Sequence, residues 1–196
     1  QAFTYCDKLS GERWSGLHIK LLGEHQLANA ALAVAVARRL GLSETAVRSG
    51  LAAANWPGRL EIVSPKPLVV LDGAHNVAGM QALSAALRQY WPERPIVAML
   101  ADKEREAALR LLLPQLSQAV ITRVPSPRAG DWQALAEICR EYGVPCQLEE
   151  DVAAAVAAGQ RLAANSAAEP LLLVTGSLYM LADARASLLG IEQENY

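Results

Sequence analysis

The residues best able to do chemistry lie in a few short stretches. Leu71-Asp72-Gly73-Ala74-His75-Asn76 puts a carboxylate, an imidazole and an amide within five positions, directly after an apolar run. A carboxylate at the end of a rigid strand is held in place, and Gly73 lets the backbone turn or approach a ligand closely. His75 and Asn76 stand where the next helix begins, and its dipole favours an anion there. The same residues would also make an ordinary strand-to-helix turn capped by Asn76. Thr175-Gly176-Ser177 follows the same logic, with two hydroxyls around a glycine at another helix start. It reads either as an anion seat or as a simple cap.

Arg59 follows Trp56-Pro57-Gly58, where proline stiffens the chain and glycine bends it. A guanidinium placed there suits a phosphate, and an ion pair with Glu61 is the competing use. His25, Gln26 and Asn29 open an otherwise apolar helix, with His25 and Asn29 four apart on one face. They would serve a nucleotide edge or hydrogen bonds within the core. Further polar groups at strand ends are Asp102-Lys103 and Pro125-Ser126-Pro127-Arg128.

Some motifs are absent. The sequence has no G-x-x-x-x-G-K-[ST] loop, no H-E-x-x-H and no G-x-S-x-G. Without a phosphate-cradling loop, this chain is expected not to hydrolyse ATP well by itself. No catalytic residue and no metal ligand is assigned.

The elements that must hold these residues follow from periodicity. Leu17–Leu22 reads as a strand closed by Gly23, His25–Leu40 as a buried helix apolar on nearly every side with a stop at Gly41, and Ser43 as the cap of a helix reaching Asn55. Trp56-Pro57-Gly58 breaks the pattern. Strands are then expected at Pro67–Leu71, Pro95–Leu100, Ala119–Val124, Cys146–Leu148 and Leu171–Val174. Helices are expected between and after them, at Val77–Tyr90, Lys103–Leu113, Asp131–Tyr142, Asp151–Ala164 and Ser177–Leu188. Such alternation with short connections predicts a mostly parallel, doubly wound, Rossmann-like α/β sheet with helices on both faces. Ligands bind beyond the carboxyl ends of strands in such sheets, which is where the polar stretches fall. The expected division is 1–58, the tail of a preceding domain, and 59–196, a complete α/β domain, with the linker at Asn55–Arg59.

Bulk properties narrow the partners. The 196 residues are 52% hydrophobic and 5% aromatic with a formal net charge of -2, so no bulk attraction to nucleic acid or anionic membrane is expected. The three cysteines form no C-x-x-C pair and no metal spacing, and read as reduced thiols of a cytoplasmic protein. No apolar run is long enough to span a bilayer, and no signal peptide is visible. The chain lacks an initiating Met, which suggests a fragment or a processed product.

Four motifs occur in order: Gly23-Glu24-His25-Gln26-x-x-Asn29-Ala30-Ala31, Trp56-Pro57-Gly58-Arg59-Leu60-Glu61, Leu71-Asp72-Gly73-Ala74-His75-Asn76 and Thr175-Gly176-Ser177-Leu178-Tyr179. Together they resemble the C-terminal part of bacterial dihydrofolate synthase/folylpolyglutamate synthase, in the Mur ligase superfamily. The resemblance implies an ATP-dependent ligase that adds L-glutamate to dihydropteroate or folate. A carboxylate of the pterin substrate would take the γ-phosphate, and the glutamate amine would displace phosphate from the acyl phosphate. By the same resemblance, Asn29, Arg59 and Asp72 are ATP contacts, and His75 and Ser177 lie near the incoming glutamate. Residues 1–58 would be the end of a central ATPase domain. Mg2+ ligands, the phosphate loop and a modified lysine would lie upstream, and the protein would be a monomer. Val77 departs from the family pattern, which commonly has proline there. A muramyl-peptide ligase and a non-catalytic nucleotide-binding α/β module are the other readings.

Overall fold

The computed structural model describes residues 1–92, 94–100, 105–124, 131–166 and 168–191. Asp102-Lys103 and Pro125–Arg128 lie outside them. The chain divides into two compact units, Gln1–Arg59 and Leu60–Tyr196.

The first unit begins with a hairpin. Strand β1 (Ala2–Cys6) pairs antiparallel with β2 (Arg13–His18), placing Phe3 opposite Leu17 and Tyr5 opposite Trp14. Between them Asp7 closes the turn, its Oδ1 accepting the N–H groups of Leu9 at 2.9 Å and Ser10 at 3.2 Å. Helix α1 (Glu24–Arg39) and helix α2 (Glu44–Ala53) follow. Trp14, Leu17, Ile19, Ala30, Val34, Val47 and Leu51 form the core. Ser43 caps α2 as expected, accepting the Ala46 N–H at 3.3 Å.

Two expectations for this unit need correction. The predicted strand Leu17–Leu22 is shifted: the ladder covers Arg13–His18, and its partner β1 was not foreseen. Helix α1 is not buried on every side, since only Gln26, Ala30 and Val34 are buried, while Leu32 is 66% and Val36 51% exposed. Its apolar residues outnumber the neighbours that residues 1–59 supply.

The second unit is a mixed α/β domain. Its strands are β3 (Glu61–Pro65), β4 (Leu68–Asp72), β5 (Ile96–Leu100), β6 (Leu116–Thr122), β7 (Cys146–Glu149) and β8 (Leu171–Thr175). Its helices are α3 (Val77–Tyr90), α4 (Arg105–Leu112), α5 (Leu135–Glu141), α6 (Val152–Ala164) and α7 (Leu178–Leu189). The sheet order is β3-β4-β8-β5-β6-β7. All neighbours are parallel except β3, which runs antiparallel to β4. Strand β3 was not expected from the sequence. Lys66 and Pro67 join it to β4, and so tight a turn forces the antiparallel direction.

Every residue of β4 and of β8 is buried, as fits parallel strands covered on both faces. Helices α3, α4 and α5 pack in one row, and α6 and α7 contact each other in another. The latest strand in the sequence, β8, is inserted between β4 and β5. That insertion sets the loop after β4 beside the loop after β8. Asp72 stands opposite Thr175 in the register.

Candidate functional site

The two loops are tied together by backbone. The Gly176 N–H donates to the Ala74 carbonyl at 2.9 Å, and the Thr175 hydroxyl donates to the same oxygen at 3.4 Å. Gly176 has φ 105, a backbone shape that favours glycine and turns the chain sharply into α7.

Asp72 sits at the end of β4 with only 8% of its surface exposed. Its Oδ2 accepts the Leu60 N–H at 3.0 Å, and its Oδ1 accepts the Ala74 N–H at 2.9 Å. Both carboxylate oxygens therefore hold backbone, one in each of two loops. Asn76 caps α3 by accepting the Gly79 N–H at 2.8 Å.

His75 and Ser177 come together. They line one small cavity of about 70 Å³ with Gly176, Leu178 and Tyr179. His75 Nδ1 bonds the Gly73 carbonyl at 2.8 Å. A carbonyl can only accept, so Nδ1 carries the proton and Nε2 of the neutral ring is left as an acceptor. Ser177 is 3% exposed and occupies the N-cap of α7, yet its side chain makes no capping bond. The first N–H groups of α7 thus lack the side-chain acceptor that Asn76 gives α3 and Asp151 gives α6.

The first unit holds a larger cavity, about 450 Å³, lined in part by Gln26, Asn29, Trp56 and Arg59. The Asn29 Nδ2 donates to the Gln26 Oε1 at 3.0 Å, fixing the two side-chain amides edge to edge. Trp56 is 66% exposed on the rim. Arg59 has no ion pair within its own unit among the described residues, and Glu61 is taken by Arg185, whose Nη2 lies 3.0 Å from Oε1. His25 does not line this cavity. Its ring lies against Gly23, where a Cβ would fall 2.7 Å from Cε1; with φ 102 this position excludes larger residues.

Of the five predicted site residues, the structure gathers His75 with Ser177 and, separately, Asn29 with Arg59. Asp72 lines neither cavity. Trp56 and Tyr179 were not singled out, although an aromatic beside a proline-glycine-arginine turn or at a helix start was a usable signal. Among the described residues, no group of three or more His, Cys, Asp or Glu could hold a metal ion. No helix among them is long and apolar enough to cross a membrane.

Residues 58–178 match the family described as Mur ligase, glutamate ligase domain. The chain belongs to the Mur ligase family. Within it, the chain is similar to folylpolyglutamate and dihydrofolate synthases and corresponds to their C-terminal part. It is 35% identical over 199 residues to the folylpolyglutamate synthase of Lacticaseibacillus casei, covering 97% of this chain and 44% of that protein. The structure of Mycobacterium tuberculosis folylpolyglutamate synthase complexed with ADP and AMPPCP matches with a TM-score of 0.80 and 35% identity, over 93% of this chain and 44% of that one. An Escherichia coli relative solved with DHPP and ADP matches with a TM-score of 0.81 and 28% identity, over 95% of this chain and 44% of that one. The chain thus spans less than half the length of these relatives.

Proposed function

We propose that this chain is the C-terminal portion of an ATP-dependent ligase that joins L-glutamate to dihydropteroate or a folate. The observation that carries this reading is the His75–Ser177 cavity at the start of α7, in a domain of the glutamate ligase family. A carboxylate of glutamate suits the uncapped N–H groups of α7 and the Ser177 hydroxyl. The Nε2 lone pair of His75 suits the N–H of the incoming amine. An amine held as hydrogen-bond donor and kept neutral keeps its own lone pair for attack on an acyl phosphate.

ATP is assigned to the first unit. Arg59 supplies a guanidinium without an ion-pair partner in that unit, and Asn29 supplies amide edges for a base. Trp56 offers a stacking face. Asp72, which the family resemblance gives as an ATP contact, also holds the Leu60 and Ala74 N–H groups. By the family resemblance, the Mg2+ ligands are assigned to other parts of the full-length protein.

We read Leu60 onward as a Rossmann-like, doubly wound domain, its two helix rows covering opposite faces. We read residues 1–58 as the end of a central ATPase domain. The exposed Leu32 and Val36 on α1 support this, because they are apolar residues suited to a covering that residues 1–59 do not supply. A cytoplasmic monomer fits these assignments.

The test is turnover by the full-length protein supplied with ATP, Mg2+, L-glutamate and either dihydropteroate or tetrahydrofolate. Release of ADP that depends on glutamate and on the pterin supports the proposal. Turnover of a muramyl precursor with neither pterin accepted overturns it.

A further inference from the structure

The peptide between Gly73 and Ala74 lies in a buried stretch and is held at both of its polar groups. Its N–H, that of Ala74, donates to the Asp72 Oδ1 at 2.9 Å. Its carbonyl, that of Gly73, accepts from the His75 Nδ1 at 2.8 Å. Carboxylate and imidazole are thus joined through one planar amide, with a hydrogen bond at each end. The following peptide is pinned as well, because the Ala74 carbonyl accepts the Gly176 N–H at 2.9 Å. Asn76 then caps α3. The backbone on either side of His75 is fixed by these bonds, and the ring by its own.

We propose that Asp72 is a positioning residue for His75, setting the orientation and tautomer of its ring through the Gly73–Ala74 peptide. A carboxylate on the N–H side of an amide leaves more negative charge on the carbonyl side. Hydrogen bonds in such a chain polarise one another, and burial keeps water from damping the effect. The Gly73 oxygen becomes a stronger acceptor, so the ring keeps its proton on Nδ1 and its lone pair on Nε2. A bond to an ionised group is roughly twice as strong as a neutral one, so the charge of Asp72 adds to what its geometry provides. The inference rests on the reading of the His75–Ser177 cavity as the glutamate seat, in which Nε2 accepts from the incoming amine. The other tautomer would set an Nε2–H donor against an amine that must itself donate. Asp72 thereby gains a role in the amino-acid step, separate from the ATP contact implied by the family resemblance.

The experiment is nitrogen NMR of the whole chain, isotope-labelled at its three histidines and recorded with the rings neutral. His75→Gln identifies the His75 signals. The wild type should show His75 protonated on Nδ1 and bare on Nε2. Asp72→Asn removes the charge and keeps an oxygen for the Ala74 N–H. It should move the tautomer ratio of His75 about tenfold towards Nε2–H, with His18 and His25 unchanged. A wild-type His75 protonated on Nε2 would overturn the proposal without any variant, and an unchanged ratio in Asp72→Asn would overturn it too. In the full-length protein, Asp72→Asn should raise KM for glutamate by about the same factor, and should raise it no further in a His75→Gln background. Additive effects on that KM would show Asp72 acting apart from His75 and also overturn the proposal. A glutamate KM unmoved by His75→Gln would instead overturn the glutamate reading of the cavity, on which the tautomer measurement does not depend.

Discussion

The Asp72 carboxylate holds the backbone N–H of Leu60 at 3.0 Å, twelve residues upstream. Leu60 has φ 45, the one positive φ at a non-glycine residue among those described. A buried side chain in that conformation carries strain, and Asp72 supplies a bond that keeps it there. The Asp72 carboxylate is thus a structural brace.

Asp72→Ala therefore leaves two buried N–H groups, those of Leu60 and Ala74, without an acceptor. We expect a loss of about 2–4 kcal/mol, read as a shifted urea midpoint. Asp72→Asn keeps one acceptor and should lose roughly half as much. Unchanged midpoints in both variants would contradict the brace.

Ser177 and Asp151 occupy equivalent cap positions but not equivalent roles. Asp151 accepts the Ala154 N–H at 2.8 Å, whereas Ser177 makes no cap bond. Asp151→Ala should cost about 0.5–2 kcal/mol, and Ser177→Ala well under 0.5 kcal/mol. If the proposed glutamate site is right, Ser177→Ala in the full-length protein should instead raise KM for glutamate. Equal stability losses would show that Ser177 is a plain cap.

For Arg59, the expectation is a kinetic effect without a stability effect. Arg59→Ala in the full-length protein should raise KM for ATP by about ten- to a hundredfold, the equivalent of lost charge-assisted hydrogen bonds. Arg59→Lys should recover only part, because an ammonium lacks the bidentate fork. Wild-type KM values in both variants would remove Arg59 from the ATP site.

Acid should weaken the first unit through Asp7. Its pKa is lowered from 3.8 to about 2, first by the Leu9 N–H, then by Arg38, whose Nη1 lies 2.6 Å away. A depressed carboxylate stabilises the fold above its unfolded value and loses that contribution as pH falls through the folded one. The loss should fall between pH 3.8 and about 2. The urea midpoint of Asp7→Asn should be flatter across that window than that of the wild type; parallel curves would exclude Asp7 as the cause.

Legibility in the sequence followed burial. Strands β4 and β8, buried along their length, stood out as apolar runs, and α3 was read to its observed ends. Strands β1 and β3 were missed because their residues alternate between half-buried and exposed, so polar and apolar types mix. The loops bearing His75 and Ser177 were visible as motifs. What joins them was not, because the place of β8 in the sheet depends on contacts between residues far apart in the chain. Nor could the motif reveal that Asp72 spends both oxygens on backbone, since an ATP contact and a brace require the same residue type.

The insertion of β8 also has a consequence for synthesis. The Thr175 hydroxyl meets the Ala74 carbonyl across a separation of 101 residues. While a ribosome is still making the chain, β4 and β5 exist with an open slot between them, and each shows an unpaired edge. The six-stranded order is complete only once β8 fills the slot. A chain stalled before Leu171 would therefore offer sticky edges to chaperones and proteases, and the loops bearing His75 and Ser177 could meet only once β8 has been made.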